Sequence, residues 1–162
     1  MATSPSGSGT DLFAVFSLLG HAGDQHSLSG LGKAGYTGFR PSHGPIIRLL
    51  LDGPQTVGEM APRLRVTQQA VSKTVRELAA HGFVEQLSDT SDRRRRPVAL
   101  TERGHEAIAL VDKVRGELLN ELAQKVTGDK MKIATDVLHA MMDHLGLTQM
   151  LADRHGRLLR GA

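Results

Sequence analysis

The chain has 162 residues, 40% of them hydrophobic and 23% charged, with twenty basic side chains against seventeen acidic ones. That is the composition of one compact globular unit with room for a sizeable core. It holds no Cys, which excludes a disulfide framework and thiol chemistry, and no Trp and only 3% aromatic residues, which argues against stacking platforms for single-stranded nucleic acid.

Met1 to Gly9 is small and polar and is expected to be a disordered tail. It lacks the basic-then-apolar order of a secretion signal, and no apolar run reaches membrane-spanning length, so a cytoplasmic location without a membrane partner is expected. Leu12, Val15, Phe16 and Leu19 then recur at helical spacing. Seven glycines between Gly20 and Gly44 follow, and glycine costs about 1 kcal/mol in a helix interior, so the spacing predicts a broken or mobile segment. Ser42 is the expected N-cap of the next helix, with Pro45 harmless in its first turn and Asp52-Gly53-Pro54 at its end.

Thr56 to Glu59 reads as a capping box, and Val57, Met60, Ala61 and Leu64 form one apolar stripe behind it. Pro62 removes a backbone donor there and is expected to kink or shorten this helix. Thr67 is the expected cap of a second helix, in which Ala70, Val71, Val75 and Leu78 face inward. On the opposite face stand Gln68, Gln69, Ser72, Lys73 and Arg76. Gln pairs with adenine edges, Lys with guanine edges, and Ser and Thr, including Thr67, with phosphates or bases. The same pattern also describes an ordinary solvated helix face.

Phe83 to Leu87 and Pro97 to Thr101 read as two short strands. Asp89 to Asp92 form a turn between them, followed by Arg93, Arg94, Arg95 and Arg96. An arginine run alone is compatible with a solvated charge cluster, but beside a polar-faced helix it points to double-stranded DNA. Between Arg63 and Arg96 eight basic residues stand against four acidic ones, an excess larger than the +3 of the whole chain. Helix, turn, polar-faced helix and basic hairpin together make a winged helix-turn-helix, so the predicted fold is mainly α with a small β-hairpin wing.

This block resembles the MarR family of bacterial transcriptional regulators. The resemblance rests on Glu59-Met60-Ala61, Val66 to Lys73, Leu78, Gly82 to Glu85, Asp92-Arg93-Arg94, and Leu100 to Gly104, about a third of the chain. It implies a homodimer whose second helices enter major grooves while the wings reach flanking minor grooves. Carried over, Gln68, Gln69, Ser72 and Lys73 become the major-groove face, Arg94 the wing arginine, and Arg93, Arg95 and Arg96 phosphate or groove contacts. Gln86 departs from the arginine common in the family, which removes an ion pair with Asp92. The absence of Cys removes the thiol switch of peroxide-sensing members.

Beyond the wing, Ile108, Val111, Val114, Leu118 and Leu122 mark a long helix, and Ile133, Val137, Met141 and Leu145 another with Thr127 as its cap. A small winged domain cannot cover these stripes and the N-terminal one alone, so burial against an identical partner is expected, with packing onto the same chain as the alternative. The expected layout is a tail (1–9), an N-terminal dimerisation helix with a glycine-rich connection (10–40), the winged domain (41–104), C-terminal dimerisation helices (105–148) and a second tail (149–162).

The resemblance also implies an effector site where dimer helices meet the winged domain. Tyr36, Phe39, Arg40, His43 and Arg48 would hold an anionic or phenolic small molecule there by stacking and charge-assisted hydrogen bonds, or would simply pack the connection. No metal or other cofactor is expected. His21 and His26, like His139 and His144, are five apart and splay to different faces. No phosphate-binding loop, nucleophile elbow or paired-carboxylate arrangement suggests an enzyme. The expected function is a dimeric, sequence-specific transcriptional regulator, most often a repressor, reading an inverted repeat. The alternative is a winged-helix module for nonspecific DNA organisation or protein contacts.

Overall fold

The computed structural model describes residues 11–87 and 96–148. The two predicted tails and the wing tip, with Asp89 to Asp92 and Arg93, Arg94 and Arg95, lie outside the described residues.

The first element of the described residues is α1 (Leu12–Lys33), whose N-cap Asp11 accepts from the Phe13 amide at 3.0 Å. After a turn and a single 3₁₀ turn (Pro41–His43) come α2 (Gly44–Leu50), α3 (Val57–Leu64) and α4 (Gln68–Ala80). The strands β1 (Val84–Gln86) and β2 (Val98–Leu100) form an antiparallel pair with Val84 opposite Leu100. Gln55 adds a bridge to Val98, its amide donating to the Val98 carbonyl at 3.0 Å and its carbonyl receiving the Val98 amide at 2.8 Å, so the base of the hairpin is pinned in front of α3. The long α5 (Glu102–Lys125) and α6 (Gly128–His144) are the last elements of the described residues.

The core sits between α2, α3, α4, the hairpin and the first turns of α5. Met60, Leu78, Phe83, Val98 and Ala107 are completely buried within it, joined by Ile46, Ile47, Leu50, Val71 and Val75. Gly104 permits this closure: a Cβ there would collide with the backbone oxygen of Phe83, so only glycine lets α5 start so close to the hairpin.

Three sequence expectations change. First, α1 is not broken in the glycine-rich segment: it runs through Gly20, Gly23, Gly30 and Gly32 and ends at Lys33, with Ala34 as its C-cap. Tertiary contact overrides propensity here. α1 packs along α5 so closely at Gly30 that a Cβ would stand 2.7 Å from Val114 Cγ2, and Arg115 ties Ser27 and Asp24 of α1 to α5 at 3.1 Å each. Second, Ser42 is not an N-cap. It lies inside the 3₁₀ turn, and His43 occupies the cap position of α2 without a side-chain capping bond. Third, Ala70 is exposed, so the inward face of α4 is Val71, Val75 and Leu78. Thr127 does stand at the N-cap of α6, again without a side-chain bond.

Candidate nucleic-acid interface

Local hydrogen bonding sets the orientation of the two central helices. The Thr56 amide donates to Glu59 Oε2 at 2.7 Å while the Glu59 amide donates to Thr56 Oγ1 at 3.2 Å, the full capping box of α3. Pro62 lies in the last turn of α3, and the helix ends two residues later at Leu64, followed by Arg65 in a left-handed conformation (φ 55°, ψ 40°). Thr67 then caps α4, its hydroxyl accepting from the Ala70 amide at 3.2 Å.

Burial of Val71, Val75 and Leu78 fixes the rotation of α4 about its own axis. Gln68, Ser72 and Arg76 therefore form one row along the outer side, one turn apart, and Gln69 and Lys73 form a parallel row. Gln68, Gln69, Lys73 and Arg76 are exposed and Ser72 is half-buried. The first turn of α4 carries no acidic residue, so the positive end of the helix is uncompensated by its own side chains. At the other end Gly82 (φ 73°) turns the chain into Phe83 and the hairpin, where Arg96 is exposed at the start of the return strand.

The junction between α1 and this winged unit is built around Phe83. The Phe39 ring meets it edge-on at 4.9 Å and the Tyr36 ring stacks on it at 6.5 Å. Arg103 lies over Tyr36, 4.8 Å from the ring centre, and donates to the carbonyls of His81 and Gly35. One guanidinium thus joins the exit of α1 to the end of α4. His43 is buried beneath Phe39 with Nε2 3.3 Å from Glu77 Oε2, and Arg40 reaches the same oxygen at 3.4 Å. His43 Nδ1 is buried with no hydrogen-bond partner among the described residues. The hydrogen bond from His43, then the Arg40 and Lys73 charges, hold the Glu77 carboxyl below its ordinary range against the opposing effect of desolvation. Tyr36 donates to Glu106 at 2.9 Å, and this bond above all raises its hydroxyl pKa, since ionisation would break it.

Tyr36, Phe39, Arg40 and His43 are therefore brought together, whereas Arg48 folds back toward Gly44, one turn earlier in its own helix. Glu77 and Arg103 were not singled out by the sequence. Their partners are 22 to 68 residues away, and no local pattern signals such pairings.

This arrangement defines a winged helix-turn-helix flanked by long helices. Residues 37–95 match the model of the MarR family. The whole fold is similar to the reduced form of MarR from E. coli (19% identity, 84% of this chain and 99% of that one, TM-score 0.66). It is also similar to RV1404 from Mycobacterium tuberculosis (16% identity, 87% and 97% coverage, TM-score 0.69). A third similar structure is a MepR variant from S. aureus bound to an oligodeoxyribonucleotide (18% identity, 85% and 99% coverage, TM-score 0.60). No curated protein matches the chain. The winged segment thus matches the MarR family model, and the described residues have the fold of these solved structures.

Proposed function

We propose that this protein is a sequence-specific transcriptional regulator that binds an inverted-repeat operator as a homodimer and represses. The observation that carries this reading is the pair of polar rows on α4, Gln68, Ser72 and Arg76 beside Gln69 and Lys73, held outward by a buried apolar face and capped by Thr67. Side chains with amide, hydroxyl and ammonium groups at one-turn spacing suit base edges in a major groove, while Arg96 and its neighbours Arg93, Arg94 and Arg95 in the wing suit phosphates or a minor groove. That the similar MepR structure is a complex with an oligodeoxyribonucleotide supports the same partner.

Dimerisation through α1, α5 and α6 is supported by what one copy leaves uncovered. Leu12, Phe13, Leu18 and Leu19 on α1, Leu119 and Leu122 on α5, and Ile133, Val137 and Leu138 on α6 are all exposed large apolar residues. α6 buries none of its residues in the single chain. A two-fold partner would cover these faces and set two copies of α4 about one DNA turn apart. The cluster of Tyr36, Phe39, Arg40 and His43, with its unpartnered imidazole nitrogen, suits an anionic or phenolic effector that loosens DNA binding.

The deciding experiment is a binding selection on randomised duplex DNA at roughly physiological salt. Recovery of an inverted repeat with half-sites about one turn apart supports the reading. Recovery of unselected sequence shifts the weight to a nonspecific DNA-organising or protein-contacting module. Gln69→Ala or Ser72→Ala should then change sequence preference, whereas Arg96→Ala should weaken all sequences alike.

A further inference from the structure

The turn between α3 and α4 contains an arginine where the backbone calls for glycine. Arg65 closes α3 with both bonds of a Schellman cap: its amide donates to the Pro62 carbonyl at 3.2 Å, and the Val66 amide donates to the Ala61 carbonyl at 3.1 Å. That cap requires a left-handed residue, and a Cβ disfavours it. Among the described residues Arg65 is the one non-glycine with positive φ; Gly35, Gly38, Gly53, Gly82 and Gly146 fill the other five such positions. The chain uses glycine at each of those turns and departs from it at the one directly before the polar-faced helix.

Nothing among the described residues uses the Arg65 side chain. It is exposed and makes no hydrogen bond or ion pair with them. Arg63, two residues earlier, behaves differently: it donates to Gln55 Oε1 at 2.9 Å and stands 3.7 Å from Asp52, bracing the base of the hairpin. Arg65 also lies two residues before the Thr67 cap, beside a helix start without acidic residues. A free guanidinium thus sits where the positive end of α4 already favours an anion.

We infer that Arg65 is a DNA-phosphate anchor, a contact that fixes the depth and register of α4 on the duplex without reading sequence. The inference rests on the DNA-binding reading above and adds a residue to it. An arginine in this turn gives up conformational ease in the free protein and recovers it as a charge-assisted bond in the complex. Stability and DNA affinity then respond in opposite directions to the same substitution.

Three variants separate backbone from charge: Arg65→Gly, Arg65→Ala and Arg65→Lys. Each is measured by thermal unfolding and by salt titration of binding, on the selected operator and on a random duplex. Arg65→Gly is expected to unfold at a higher temperature than the parent. It should bind both duplexes about tenfold more weakly, with a log-log salt slope shallower by about one. Arg65→Ala should lose the same affinity without the gain in stability, and Arg65→Lys should keep a slope near the parent's. If Arg65→Gly and Arg65→Ala keep the parent's slope and affinity while the parent binds DNA, the inference is overturned alone. If the parent binds no duplex, the regulator reading and this inference fall together.

Discussion

The winged unit and the helical arms of this chain solve the burial problem in different ways. In the winged unit, short elements close on one another: Phe83, Leu78, Met60 and Val98 are out of contact with water, and Gly104 lets α5 seal the hairpin. In the arms, α1 and α5 pack on each other at Gly30 and Val114, yet all three helices present exposed Leu, Phe, Ile or Val. The first region is complete in one copy. In the second, the apolar stripes of long helices stay exposed among the described residues, the surface that the proposed two-fold partner would cover.

Substitutions can break or sharpen that contrast. The largest effect is expected from Phe83→Ala. It removes the ring on which Tyr36, Phe39 and His81 converge, and loss of a buried Phe costs about 3–5 kcal/mol. Urea unfolding should show that loss, with DNA binding reduced in proportion to the unfolded fraction. A charge in the arm, such as Ile133→Asp on the exposed face of α6, should leave the winged unit folded while halving the mass measured by sedimentation. An unchanged mass would mean that this face is not the interface. Thr67→Ala removes the cap of α4 and should cost about 1 kcal/mol of stability, read by thermal unfolding.

The smallest effect concerns acid. The folded Glu77 carboxyl lies below its ordinary range because His43 donates to it and Arg40 stands beside it. Its contribution to stability is complete above the unfolded value of about 4.3 and is lost as pH falls through the lower folded value. Glu77→Gln should therefore flatten the acid limb of a stability-against-pH curve while leaving its shape near neutrality unchanged. A limb as steep as the parent's would show that other carboxyls dominate it.

The helices, the hairpin and the outward face of α4 were legible in the sequence because their signals are local. Thr56 with Glu59, Thr67 with Ala70, and the spacing of Val71, Val75 and Leu78 lie within a turn or two of one another. The glycine-rich stretch misled for the same reason. Intrinsic propensity counts each glycine against a helix, and the packing of Gly30 on Val114 is a contact between residues 84 positions apart.

By itself the sequence determined the winged helix-turn-helix pattern, the concentration of positive charge around it, and the caps that begin α3 and α4. Only the tertiary structure decided that α1 runs unbroken, that His43 and Arg40 share Glu77, that Arg103 joins the exit of α1 to the end of α4, and that Arg65 holds a left-handed turn with its side chain free among the described residues. Periodicity and capping are written in neighbouring residues. Long-range pairs and a backbone angle exist only once the chain has closed on itself, and no spacing along the sequence records them.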